Sequence, residues 1–197
     1  MTHTAEPMDD NRRQLLVATS VVGGAGAVAL AAPFVASFAP SERAKAAGAP
    51  VEVDISKVPP GEMIVVEWRG KPIWVLHRTP EMLESLKAVR EKLADPDSEK
   101  SIQPPYAKNE HRSIKPEFLI VEGVCTHLGC SPSPKFQMGE ASGLGADWVG
   151  GYLCPCHGSL FDLAGRVFKS MPAPTNLPVP PHKYLTETKV LIGEDKA

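Results

Sequence analysis

Six residues in two short segments carry most of the chemistry legible in this chain: Cys125, His127 and Cys130 in Cys125-Thr126-His127-Leu128-Gly129-Cys130, and Cys154, Cys156 and His157 in Cys154-Pro155-Cys156-His157-Gly158-Ser159. These are all four cysteines of the 197 residues, and each tight pair stands beside a histidine. A purely structural disulfide framework has no use for histidines at fixed offsets, whereas a metal site does. Each segment can deliver one thiolate and one imidazole. A zinc site of the two-Cys, two-His kind is one reading, but zinc fingers take a cysteine pair from one element and a histidine pair from another. Mixed pairs suit a dinuclear centre better, with two thiolates on one iron and two imidazoles on the other.

These motifs resemble those of the Rieske iron–sulfur proteins. The resemblance implies one 2Fe-2S cluster ligated by Cys125, His127, Cys154 and His157, and a disulfide between Cys130 and Cys156. Loop cysteines of this kind belong to quinol-oxidising members and are missing from many oxygenase-type domains. Two ferric ions, two sulfides and two thiolates sum to zero charge, so an electron is accepted more readily than by a four-thiolate cluster. Rieske potentials accordingly run from about −150 to +300 mV, against about −400 mV for plant-type ferredoxins. Each imidazole can also hold or release a proton at its free nitrogen, and reduction raises its affinity for that proton. His127 and His157 are therefore candidate catalytic groups as well as ligands. The family's quinol contact maps onto His157.

The same resemblance assigns tuning roles. Ser159 occupies the position whose hydroxyl donates to a bridging sulfide in high-potential members. Two residues later such members often carry a tyrosine, where this chain has Phe161. The missing donor implies a lower potential. From the residues alone, Ser159 reads as a turn residue and Phe161 as a core aromatic. Met171-Pro172-Ala173-Pro174 is similar to the proline loop that covers the cluster, with Met171 in place of the usual glycine.

The elements that must position these loops follow from patterning. Twenty prolines and sixteen glycines favour a loop-rich, mainly β domain. With net charge −2 and no basic block, nothing points to a nucleic-acid partner. Val51 to Ile55 alternates, and Met63–Trp68 and Ile73–His77 flank a hairpin at Arg69-Gly70-Lys71. Thr79-Pro80-Glu81 starts a helix reaching about Leu93. Residues 95 to 115, with Pro96, Pro104 and Pro105, read as an irregular surface excursion. Phe118–Val121 is a strand leading into the first loop. Residues 131 to 153 read as a surface insertion, 161 to 168 as a hairpin about Ala164-Gly165, 172 to 181 as a rigid loop, and Tyr184 to Ile192 as closing strands. His77 ends a strand, His111 lies in the charged excursion, and His3 and His182 are expected to be exposed. No internal repeat is visible.

The N-terminal part is of another kind. Asn11-Arg12-Arg13-Gln14-Leu15-Leu16 resembles a twin-arginine export signal. No charged residue follows between Arg13 and Glu42, enough for a transmembrane helix over 14–39. The arginines place residues 1–13 in the cytoplasm and the head outside. A cleaved signal is the competing reading, with small residues near Ala36–Ala39 and Ala44–Ala46. Residues 40–50 form a linker, either a passive spacer or a hinge. The expected architecture is one anchor helix and, over 51–197, a Rieske-type antiparallel β-sandwich head with cluster-binding loops.

By that resemblance the chain is the electron-transfer subunit of a quinol–cytochrome c reductase in a bacterial inner membrane. Its head is periplasmic, and its partners are cytochrome b and a c-type cytochrome in a dimeric complex. The Rieske small subunit of a periplasmic molybdenum oxidase, such as arsenite oxidase, is the alternative. A soluble Rieske ferredoxin fits the apolar N-terminus and loop cysteines less well.

Overall fold

The computed structural model describes residues 9–195. His3 and the first residues of the expected cytoplasmic segment lie outside the described residues. The chain divides into two compact units between Ala46 and Ala47.

In the first unit, helix α1 runs over Asp10–Ala36, 27 residues. At about 1.5 Å per residue it is roughly 40 Å long, and its most apolar window has a mean hydropathy of 2.0. It is long and apolar enough to cross a membrane. Asp9 caps it by accepting the Asn11 N–H at 3.0 Å. Thr19 and Ser20 return their hydroxyls to the Leu15 and Leu16 carbonyls at 2.9 and 2.7 Å, so the apolar stretch carries no unsatisfied hydroxyl there. Within the expected linker, Glu42–Ala47 forms a single short helix, α2, with an exposed Glu42–Lys45 pair.

The second unit contains strands β1 (Val51–Asp54), β2 (Met63–Trp68), β3 (Lys71–His77), β4 (Phe118–Glu122), β5 (Ser133–Lys135), β6 (Gly151–Leu153), β7 (Leu160–Phe161), β8 (His182–Tyr184) and β9 (Lys189–Ile192), with helix α3 (Pro80–Ala88) after β3. They form three antiparallel sheets in the orders β1-β9-β8, β2-β3-β4 and β5-β6-β7. The head is thus mainly β, as the composition implies.

Period-two alternation in β3 explains the layering. Ile73 and Val75 join Ile120 of β4 against Val53, Val190 and Ile192 of the first sheet and Ile55 just after β1. Trp74 and Leu76 point the other way with Leu119 and Val121, into a second core that includes Tyr152, Phe161, Cys125 and Cys154. Both faces of β3 are covered, which is why Ile73 to Leu76 is an unbroken apolar run. The β2–β3 turn is Arg69-Gly70, both at positive φ (54° and 71°), the two-residue form that matches strand twist.

Four expectations need correction. Helix α3 starts at its Thr79 cap but ends at Ala88; the chain then tightens into a 3-10 turn over Arg90–Lys92. Val89 and Leu93 are still buried, so the apolar spacing is used, but Leu93 meets Phe168 in an extended bridge rather than in a helix.

The excursion at 95–115 is irregular yet not superficial. Asp95, Ser98, Ala107, Arg112 and Ser113 are buried. Arg112 donates to the Ala164 carbonyl, Asp95 accepts the Glu99 and Lys100 N–H groups, and Ser113 and Ser98 accept from Arg78 and Asn176; such contacts leave no apolar periodicity to read. The supposed insertion at 131–153 begins and ends in β5 and β6, and buries Trp148 and Tyr152. Three-residue strands are too short to register as alternation. His182 is buried, not exposed. Its Nδ1 meets the Pro180 carbonyl at 2.9 Å, its backbone N–H donates to the Tyr106 hydroxyl at 2.8 Å, and its ring lies edge-on to Tyr106.

Candidate metal centre

The two loops are built on one hydrogen-bonded frame. In the first, Cys125 N–H donates to the Cys130 carbonyl (2.8 Å) and Gly129 N–H to the Cys125 carbonyl (3.0 Å). In the second, Cys154 N–H donates to the Ser159 carbonyl (2.8 Å) and Gly158 N–H to the Cys154 carbonyl (2.9 Å). Gly129 and Gly158 close the frames at φ 84° and 76°, a region that β-carbon-bearing residues rarely enter. The shared Cys-x-x-x-Gly spacing is the sequence signal for this repeat, and it was too short to stand out as one. His127 is the third residue of its frame and His157 the fourth.

The strands fix where the loops begin. β4 runs through Glu122 and Gly123 into Cys125, and β6 ends at Leu153, one residue before Cys154. Gly123 lies under the Trp74 indole so closely that a β-carbon there would fall 2.2 Å from the ring. Trp74 in turn stacks on Tyr152 with centroids 4.8 Å apart, tying the loop-bearing lobe to the central sheet.

The structure brings the expected site residues together. Cys125 and Cys154 are buried with free thiols. His157 is exposed and His127 half-buried, and their rings meet edge to face with centroids 4.7 Å apart. Cys130 and Cys156 are joined in a disulfide that links the two loops. The sulfurs of Cys130, Cys154 and Cys156 lie within 4.8 Å of one another, so the bridge flanks Cys154 directly.

Burial pushes the Cys125 thiol up, as does adjacent Cys154, while the His127 backbone N–H and the Ser159 hydroxyl favour its thiolate. The Cys125 thiol, out of water beside Cys154, is poorly placed to ionise alone and well placed to share a cation. Two buried sulfurs and two imidazoles at an accessible tip are the donor set of a Rieske centre, and the residues present fit that cluster.

Ser159 is buried and accepts the Ala173 N–H at 3.0 Å from the proline loop. The Thr126 hydroxyl donates to the Thr175 carbonyl at 2.7 Å, a second tie between that loop and the site. Phe161 is wholly buried in the surrounding core, and Met171 packs partly buried against it.

Sequence reasoning missed the floor beneath the loops. Arg78, Arg112 and Arg166, all buried, converge on the turn after β7. Arg78 donates to the Leu163 carbonyl (3.2 Å) and Arg112 to that of Ala164 (3.1 Å), while Arg166 pairs with buried Asp162 at 2.7 Å. Burial lowers Arg78 and Arg112 to about 10, so both stay charged at neutral pH. Isolated arginines in charged or turn-like sequence carry no signal for such burial.

Comparison with known proteins gives the family. Residues 50–181 match the Rieske [2Fe-2S] domain family, and residues 1–41 match the family described as the "Ubiquitinol-cytochrome C reductase Fe-S subunit TAT signal". The ubiquinol-cytochrome c reductase iron-sulfur subunit of Allochromatium vinosum is 60% identical over 94% of this chain and 89% of its own length. That of Blastochloris viridis is 43% identical over 96% of this chain and 97% of its own length. A solved structure of a hyperthermophilic respiratory Complex III aligns at 28% identity, covering 89% of this chain and 96% of that one, with a TM-score of 0.47. The chain belongs to the Rieske [2Fe-2S] family and, within it, to the ubiquinol-cytochrome c reductase iron-sulfur subunits. Its cofactor is a 2Fe-2S cluster, and its role is electron transfer.

Proposed function

We propose that Cys125, Cys154, His127 and His157 are the four cluster ligands, and that the chain accepts an electron and a proton from quinol and passes the electron to a c-type cytochrome. The observation that carries this reading is the asymmetry of the donor set: both thiols are buried, whereas the two imidazoles meet at the loop tip with His157 exposed.

When bound, the cluster supplies a one-electron acceptor of high potential for an iron–sulfur centre. The thiolates of Cys125 and Cys154 hold it from the protein side, where burial keeps water away. His157 offers a ring nitrogen to the quinol hydroxyl and takes its proton there; His127 is the second proton-holding ligand. Ser159 donates its hydroxyl proton toward the sulfur side of the site, which favours added negative charge. The disulfide between Cys130 and Cys156 keeps the loops from parting.

Helix α1 serves as the retained anchor, with Arg12 and Arg13 on the cytoplasmic side of a bacterial inner membrane and the head in the periplasm. The membrane partners are cytochrome b and a c-type cytochrome, in a dimeric complex. Residues 40–50 connect anchor to head.

Purification of the full chain with its native partners, followed by EPR of the reduced protein, tests the reading. A Rieske signal that shifts when a quinol-site inhibitor binds, and co-purification of a b-type cytochrome, are the expected results. A signal insensitive to inhibitor would sink the quinol assignment, and loading that survives Cys125→Ser and Cys154→Ser would sink the ligand set.

A further inference from the structure

The segment that follows Met171 forms no regular ladder of its own, yet its backbone is pinned at successive residues. Ala173 N–H reaches the Ser159 hydroxyl oxygen at 3.0 Å, and the Thr175 carbonyl accepts from Thr126 at 2.7 Å. Leu177 N–H donates to the Gly165 carbonyl at 2.8 Å. Among these lies Asn176, only 1% exposed.

Asn176 bonds outward to two other segments. Its Nδ2 donates to the Asp95 carbonyl (2.9 Å) and the Ser98 hydroxyl (3.1 Å), and its Oδ1 accepts the Val167 N–H (2.9 Å). Its backbone N–H donates to Ser101 Oγ at 3.1 Å. The Ser101 proton is already committed to the Asp95 carboxylate at 2.7 Å, so its oxygen is left to accept. With both amide protons and the amide oxygen engaged, the side chain has one orientation.

The consequence falls on Ser159. A hydroxyl has one proton, and here its oxygen accepts the Ala173 N–H. The proton is therefore left to point away from the proline loop, into the second cluster loop, where the Ser159 carbonyl accepts the Cys154 N–H.

We infer that Asn176 is a positioning residue: by latching the proline loop to the 95–101 segment and to Val167, it holds the Ala173 N–H on Ser159 and so aims the Ser159 proton at the sulfur side of the centre. This rests on the cluster assignment above. The 95–101 segment, in which Asp95 and Ser98 are buried, acquires a role by the same argument, as the outer anchor of the latch.

Redox titration of the complete chain, purified with its membrane partners, tests this. Asn176→Ala should weaken the reduction equilibrium about threefold, close to 28 mV at 59 mV per decade for one electron. It should also raise amide exchange across residues 172–177. Ser98→Ala removes one of the two Nδ2 acceptors and should give a smaller shift in the same direction. In a Ser159→Ala background Asn176→Ala should shift nothing further, because its effect runs through that hydroxyl.

An undiminished shift in the Ser159→Ala background overturns the inference, as does an unchanged potential in a loaded Asn176→Ala protein. Should Asn176→Ala fail to take up iron, Ser98→Ala decides, and no shift there overturns the inference. A wild-type protein without a Rieske EPR signal would instead defeat the cluster assignment itself, so the two failures are told apart.

Discussion

Tyr152 and Phe161 are direct partners across β6 and β7, and neither ring is exposed to solvent. The Tyr152 ring is taken up in packing, stacked on Trp74 and edge-on to Phe136. Its hydroxyl has no hydrogen-bond partner among the described protein groups. Phe161, two residues after Ser159, brings no hydroxyl to its own position.

Phe161→Tyr should therefore raise the reduction potential. One net hydrogen bond contributes about 0.5–1.5 kcal/mol, on the order of 20–60 mV for a one-electron couple. Phe161→Leu, which keeps the site apolar, should give no such rise. Potentiometric titration followed by EPR checks both, and a fall in the tyrosine variant would remove Phe161 from the list of tuning positions.

Opening the loop bridge should loosen the head. The disulfide spans 26 residues, which by chain entropy corresponds to about 3.5 kcal/mol. For a head of this size, Cys130→Ser with Cys156→Ser should lower the melting temperature by about 7–14 °C. The same variant should lose iron faster to a chelator, read as bleaching of visible absorbance. An unchanged melt would mean that the loops are held by packing alone.

Gly123→Ala forces a β-carbon onto the Trp74 ring. Overpacking of this kind costs about 1–3 kcal/mol. Adding Trp74→Leu should recover part of the loss, so that the double variant is more stable than the sum of the single changes predicts. Thermal melts of the four proteins measure the coupling; strict additivity would refute the contact as the cause.

Acid should destabilise the head through His182. Burial lowers this histidine below its ordinary value of 6.5, only partly opposed by the Pro180 carbonyl and by Asp195. The unfolded chain therefore binds the proton first, and stability is full above about pH 6.5 and falls as the pH drops below it. His111, lowered mainly by burial and by Arg78, contributes with the same sign. His182→Asn can keep a donor toward Pro180 without a titrating ring, and should flatten the slope of stability against pH between about 6.5 and 5. Denaturant midpoints over that range supply the test.

What could be read beforehand divides along physical lines. The cysteine and histidine spacings exposed the site because few residue combinations serve its chemistry. The anchor stood out by length and missing charge, and β2 and β3 by their alternation. Arg78, Arg112, Arg166 and Asn176 escaped because each is held by hydrogen bonds to backbone atoms distant in sequence. Such bonds obey no periodicity. The same cause concealed the burial of His182, whose partners are a carbonyl and the Tyr106 hydroxyl.

The crosslink between Cys130 and Cys156 also acts as an editor of donor choice. The two loops carry four cysteines, a set from which a soft metal could be held by sulfur alone, and with the bridge formed the sulfurs of Cys130, Cys154 and Cys156 lie within 4.8 Å of one another. Bridging withdraws two of the four. What remains is Cys125 and Cys154 beside two imidazoles, a mixed set chosen by covalent bookkeeping rather than by relative affinity.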